Sequence, residues 1–185
     1  MIRHGCRAIP APGKKVENRY CQSRRYTCKM IDRNEVAVRQ ATISDLDVLA
    51  PLFDAYRQFY RQPADIALAR QFLLERFEHN ESIILLATRE DGLAAGFAQL
   101  FPSFSSVSAA RIYILNDLFV VTAARRNGVG RLLLRAAANF GHAMGAVRLT
   151  LRTETTNTGA QALYESEGWI RETAFYGYDL PINRR

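Results

Sequence analysis

One stretch constrains this chain more than any other: residues 112–144, where an apolar run passes through a glycine-bearing turn into a helical period. Residues 112–121 are aliphatic, β-branched or aromatic apart from Asn116 and Asp117, which is the composition of a buried strand. From Val129 onward, Val129, Leu132, Leu133, Ala136, Ala137, Phe140 and Met144 fall at helical spacing on one face, and Gly145 stands where a C-terminal cap belongs. A buried strand feeding a one-sided helix needs a sheet with helices packed on it, so the class is α/β.

The junction between strand and helix carries chemistry. The first turn of a helix has free N–H groups and the positive end of the dipole. Gly128 and Gly130 let a ligand approach the backbone there, and Arg125, Arg126 and Arg131 surround the same turn. This is an anion site suited to a phosphate or pyrophosphate. The bland alternative is that Gly128 only turns the chain and the arginines are solvated. The nucleotide motifs do not match. There is no Gly-Lys-Ser/Thr, Leu133 stands where a dinucleotide fingerprint needs its third glycine, and no acidic residue follows in Val147 to Leu151.

The rest of the chain supplies the sheet and its cover. Glu35 to Ala41 alternates as a short strand. Thr42 or Ser44 caps a helix carrying Leu46, Leu49, Phe53, Tyr56, Phe59 and Tyr60, and Gln62-Pro63 breaks it. The aromatic stripe is core, or else Tyr56 and Tyr60 line a substrate groove. A second helix runs from about Ala64 to His79. Ser82–Thr88 and Leu93–Phe101 are strands joined by the turn Glu90-Asp91-Gly92. Val147 to Leu151 is a strand, a helix follows Thr155–Gly159 and ends at Gly168, and Trp169 to Pro181 reads as two last short strands around Ala174.

Charge divides the chain. Residues 1–34 hold nine Lys/Arg and two acids, a net of +7, while residues 35–185 hold sixteen of each sign. The basicity therefore belongs to an N-terminal extension read as disordered, and no nucleic-acid partner is expected for the neutral domain. His4, Cys6, Cys21 and Cys28 lie in that extension with no common zinc spacing, so no metal is expected. Met30 is an alternative start. No apolar run reaches transmembrane length, and the expected compartment is cytoplasmic.

Two motifs bear a family resemblance. Arg125-Arg126-Asn127-Gly128-Val129-Gly130 is similar to the Arg/Gln-x-x-Gly-x-Gly/Ala motif of the GNAT superfamily of N-acyltransferases. Asn157-Thr158-Gly159-Ala160 through Tyr164 to Gly168-Trp169 matches that family's Asn-x-x-Ala-x-x-x-Tyr-x-x-x-Gly-aromatic segment. The resemblance covers roughly Glu35 to Leu180. It implies a mixed, mostly antiparallel sheet of about seven strands flanked by about four helices. Residues 112–120 look like the diamine acetyltransferase branch, with one departure: Asn116-Asp117 replaces that branch's Glu-Asp pair, leaving one carboxylate.

The resemblance implies an N-acetyltransferase that uses acetyl-coenzyme A and no metal, a small-molecule primary amine as acceptor, and a homodimer. The amine must lose a proton before it attacks the thioester carbonyl, and the attack is direct, in a ternary complex. By resemblance a bulge in this strand frees the backbone of Leu118, Phe119 and Val120 to serve acetyl and pantetheine. Arg125, Arg126, Asn127, Gly128, Val129, Gly130 and Arg131 serve the pyrophosphate. Asn157 contacts pantetheine or simply caps its helix. Tyr164 protonates the leaving thiolate or is core, and Asp117, with Glu154 as rival, is the base or amine anchor. The alternative from another class is a silent acyl-coenzyme A sensor.

Overall fold

The computed structural model describes residues 36–182, so the expectations for the basic extension, its cysteines and Met30 lie outside the described residues. The elements are β1 (Val36–Gln40), α1 (Leu46–Phe59), α2 (Ile66–Glu78), β2 (Ile83–Arg89), β3 (Ala94–Ser105), β4 (Ala110–Val120), α3 (Val129–Ala143), β5 (Arg148–Thr150) and α4 (Thr158–Ser166). The strands form one sheet in the order β1-β2-β3-β4-β5. The first three junctions are antiparallel and the last is parallel, giving the mixed, mostly antiparallel α/β sheet expected.

Strand alternation sorts side chains onto two faces. Ala98, Leu100, Tyr113 and Leu115 pack on one face against Val129, Leu133, Leu134 and Ala137 of α3. Ile84, Leu86, Phe97 and Phe119 pack on the other against Leu49 and Phe53 of α1 and Ala69 and Leu73 of α2. Of the period read in α3, Val129, Leu133 and Ala137 are buried and Ala136 and Phe140 partly so, whereas Leu132 and Met144 are exposed and Leu134 takes a place in the stripe; Gly145, at a φ of 68°, follows the helix end.

Local chemistry sets the entry to α1. The Thr42 amide donates to Asp45 Oδ2 at 2.8 Å, and Arg39 of β1 holds both Asp45 oxygens at 2.6 and 2.8 Å. The Arg39 side chain keeps the Asp45 carboxyl well below the usual carboxylate range, against the opposing effect of its partial burial. Asp65 caps α2 by accepting from the Leu68 amide at 2.9 Å.

The described residues hold five strands, not seven. Residues 169–181, read as two short strands around Ala174, form none. A strand exists through its hydrogen-bonded neighbour, and this segment pairs with no strand of the described chain. No described helix is long and apolar enough to cross a membrane.

Candidate active site

The site begins with an irregularity in β4. Asp117 pairs with Gln99 of β3 and Leu115 pairs with Leu100, which leaves Asn116 unmatched: a β-bulge. The extra residue reverses the side toward which later backbone groups point. Before the bulge, the Arg111 carbonyl faces β5 and accepts from the Val147 amide at 2.9 Å. After it, the Val121 amide donates to the Ala95 carbonyl of β3 at 3.0 Å, and the Phe119 carbonyl is turned against Gly96 of β3. Leu118 and Val120 therefore present their backbone away from β3, and the Val120 carbonyl accepts there from Arg125 Nε at 3.1 Å. β5 pairs only with Ile112–Ile114, so this edge of β4 is open among the described residues. Of the three backbones expected to serve acetyl and pantetheine, two face the opening and that of Phe119 faces β3.

Past β4 a 3-10 turn at Thr122–Ala124 leads to the glycine turn. Gly128 is the N-cap of α3 at a φ of 78°, a left-handed conformation that side chains resist, and a Cβ there would meet nothing within 4 Å. Gly130 has another reason to be small: a Cβ would stand 3.1 Å from Leu163 of α4. Arg125, Arg126, Asn127 and Gly128 are exposed around the turn, while Val129 is buried in the core. Arg131 is turned elsewhere. It donates to Glu167 at 2.5 Å and to Ser166 at 3.2 Å, and Arg135 joins the same Glu167 at 2.7 Å. This ion cluster ties α3 to the end of α4 and takes Arg131 away from the anion site expected for it.

The groups able to move protons gather where the edge of β4 opens. Asp117 is 3% exposed on the α1 face of the sheet. Burial pushes its carboxyl up, and hydrogen bonds from Tyr56 and Asn116 pull it back only in part. Asn116 Nδ2 donates to Asp117 Oδ1 at 3.1 Å. Tyr56 of α1 stands above them, its hydroxyl 3.5 Å from the Asn116 carbonyl. Burial, then the charge of Asp117, push the Tyr56 phenol far above its ordinary value, with Tyr60 and Tyr164 contributing. Tyr60 and Tyr164 are also raised, chiefly by burial, Tyr60 further by Glu154 and Asp117 and Tyr164 by Tyr60. Tyr164 is half-buried in α4 with its ring 6.1 Å from that of Trp169. Helix α1, the bulge of β4, the segment after β5 and α4 thus bring Tyr56, Tyr60, Asn116, Asp117, Glu154 and Tyr164 together. Asn157 is a helix cap, accepting from the Ala160 amide at 3.2 Å.

The acetyltransferase (GNAT) family matches residues 49–169. This chain belongs to that family. Among GNAT relatives it is 51% identical over 145 residues to an uncharacterized N-acetyltransferase of Bacillus subtilis (strain 168), covering 78% of this chain and 97% of the relative. It is 31% identical over 101 residues to an aminoglycoside N(6′)-acetyltransferase type 1 of Klebsiella aerogenes, covering 54% and 66%. A solved structure of a probable acetyltransferase superposes with a TM-score of 0.76 at 41% identity, over 80% of this chain and 99% of that one. The GNAT match opens within α1 and closes at Trp169, so every group of the site lies inside it.

Tyr56 and Tyr60 are the site members that the sequence left open between core and groove. The signal was present in their i, i+4 spacing, since a helix face that ends in two phenols does not end in core. The stripe divides in the structure. Phe53 stacks on Phe72 at 5.1 Å in the core, Tyr56 contacts Phe97 and Phe119 edge-on, and Tyr60 reaches solvent.

Proposed function

We propose that this GNAT acetyltransferase moves the acetyl group of acetyl-coenzyme A onto a primary amine of a small molecule, by direct attack with both substrates bound. The observation that carries this reading is the buried carboxyl of Asp117, set one residue beyond the bulge that opens the edge of β4 and covered by tyrosines.

Acetyl-coenzyme A, the family's co-substrate, fits the residues present. The outward backbone of Leu118 and Val120 suits an extended, amide-bearing chain, and the free space at Gly128 on the α3 N-terminus suits its pyrophosphate. Arg125, Arg126, Asn127, Val129 and Gly130 complete that turn. When bound, the co-substrate supplies an acetyl thioester. Asp117 takes the proton of the incoming ammonium group, for which a raised pKa makes it a better base than an exposed carboxylate. The Asn116 amide holds Oδ1, and the Tyr56 hydroxyl stands beside the pair at the Asn116 carbonyl. Tyr60, Tyr56 and Glu154 give the acceptor side an aromatic and anionic wall, which favours a cation. Tyr164, protonated at neutral pH as a phenol ordinarily is, supplies a proton to the departing sulfur.

The test is free-thiol release from acetyl-coenzyme A across polyamines, amino acids, aminoglycosides and peptide amines. Turnover with one class of small amine is the expected result. Tight binding without release for any amine would make this a silent acyl-coenzyme A sensor, and turnover confined to peptide amines would reject the small-molecule acceptor.

A further inference from the structure

Gln99 of β3 is 0% exposed, a polar side chain buried as fully as its neighbour Leu100. Its amide nitrogen donates to the Ser82 hydroxyl at 2.7 Å. Its carbonyl oxygen Oε1, also buried, has no hydrogen-bond partner among the described residues. A buried acceptor without a donor is costly, and native structures leave few of them. The bond to Ser82 sets which end of the amide is turned inward. Ser82 stands at the start of β2, where it lines a cavity of about 300 Å³ with Thr42, Arg76 and Asn80. The two arms of a carboxamide diverge, so with Nε2 on Ser82 the oxygen points away from that cavity.

Across the ladder from Gln99 stands Asp117, the first residue past the bulge. Directly opposed residues on one face have Cβ atoms about 5 Å apart. These two share the α1 face, each two residues from a phenylalanine packed there, Phe97 and Phe119. The group fixed on Asp117 is a donor, the Asn116 amide at 3.1 Å. A donor suits the carboxylate. The protonated acid has a proton of its own to place, and Gln99 Oε1 is a buried oxygen with nothing to accept. We propose that Gln99 is a positioning residue of acetyl transfer: across one buried water, its Oε1 receives the acid proton that Asp117 carries once the amine has given it up. The proposal rests on the reading of Asp117 as the base. In that step an N–H bond of the ammonium group breaks and an O–H bond forms on the carboxyl. The nitrogen keeps the electron pair with which it attacks the thioester. The new O–H donates to the water, and the water donates to Oε1; a water with two such partners suits a buried polar site. Asn116 thus provides for the ionised acid and Gln99 for the protonated one. The other ionisable groups facing this acid are Tyr56 and Tyr60 of α1, with Glu154 after β5 and Tyr164 of α4 beyond them. On the Ser82 side, Arg76 of α2 is held by Glu81 at 2.6 Å and Glu75 at 3.2 Å.

Gln99→Met tests this while leaving all those charges in place. Carbon-13 NMR reads the Asp117 carboxyl without turnover, its signal assigned by loss in Asp117→Asn. The pH profile of kcat/KM, with the amine that the thiol-release assay identifies, reads the same group in turnover. The methionine keeps the length and removes the carbonyl. The carboxyl midpoint is expected to move to lower pH by about one unit, the scale of one hydrogen bond, and the acid limb of kcat/KM to move with it. A side chain that only packs would give the opposite sign, because an apolar replacement dries the site and favours the uncharged acid. Ser82→Ala releases the amide and is expected to give a smaller move in the same direction, whereas Ser82→Thr keeps the hydroxyl and should move neither reading. An unmoved carboxyl midpoint in Gln99→Met overturns the proposal and leaves the Tyr56 oxygen as the acceptor. A raised midpoint also overturns it, by showing that Gln99 supplies packing or turns its nitrogen toward Asp117. A lowered midpoint with an unmoved acid limb supports the hold of Gln99 on Asp117 and rejects Asp117 as the base, so the two readings fail separately. If Gln99→Met does not fold, Ser82→Ala decides alone, and the absence of a downward move in it overturns the proposal.

Discussion

Asn116 donates its side-chain amide to the carboxylate of Asp117 at 3.1 Å, so the residue that breaks the β4 ladder also grips the buried acid that follows it. The grip opposes burial. Desolvation raises the Asp117 pKa, and the bonds from Tyr56 and Asn116 lower it. A glutamate in place of Asn116 would add a second carboxylate instead of a donor and push the acid further up. Asn116 therefore tunes one carboxyl where a Glu-Asp pair would share charge between two.

A pH profile checks that tuning. Asn116→Ala removes a bond that favours ionised Asp117, so its pKa rises. A base works deprotonated, and the acid limb of kcat/KM is therefore expected at higher pH than in the unaltered chain, with the shift larger in Asn116→Glu. An unmoved limb in both variants would mean that another group, Glu154 or water, takes the proton.

Asp117→Asn separates function from stability. Activity should fall by roughly 10²–10⁴-fold if the carboxyl is the general base. Stability should move the opposite way. A carboxyl whose folded pKa is raised contributes stability below its unfolded pKa and loses it as pH rises through the folded value. At neutral pH the buried charge is a cost, so the asparagine variant is expected to have a higher urea midpoint, and the difference should vanish in acid. A lower midpoint at neutral pH would show that Asp117 is structurally required.

The parts legible in the sequence were those set by local rules. The strand of β4, most of the apolar stripe of α3 and the glycine turn at Gly128 follow from period and residue type over short windows. The parts that were not legible are relations between distant residues. The resemblance implies a bulge somewhere in this strand, but Asn116 reads only as a polar interruption, and it is the register against Gln99 and Leu100 that places the bulge there. Arg131 reads as one of three cations at the turn, yet its partner Glu167 is 36 residues away. Tyr56 meets Asn116 across 60 residues. Trp169 to Pro181 reads as two short strands around Ala174, but whether a strand forms depends on a neighbour that the described chain does not provide.

The glycine turn is testable with its conformational strain controlled. Gly128→Glu places an anion where the pyrophosphate is proposed to lie, but it also forces a side chain into a φ of 78°. Gly128→Asn carries the nearest strain without the charge, because asparagine tolerates that region. Calorimetry should show acetyl-coenzyme A affinity reduced at least tenfold, about 1.4 kcal/mol, in the glutamate variant and much less in the asparagine variant. Equal affinity in the two would remove the anion site from this turn.

Tyr164 has two readings that a single atom separates. Its ring packs beside Trp169 and against the α3-side core, so a structural role alone would explain its presence. A phenol is protonated at neutral pH and burial only raises its pKa further, so the hydroxyl carries a proton to give and a donor role is chemically open too. Tyr164→Ala removes a half-buried ring from beside Trp169 under either reading, at a cost of up to about 3 kcal/mol, and so decides nothing. Tyr164→Phe keeps the packing and removes only the proton. If the hydroxyl protonates the leaving thiolate, the single-turnover rate should fall by roughly 10²-fold or more, with acetyl-coenzyme A affinity and thermal midpoint little changed. The loss should also shrink for a thioester whose thiol is more acidic, since that leaving group needs less help. A near-normal rate with the native thioester would leave water or a backbone amide as the proton source and return Tyr164 to the core.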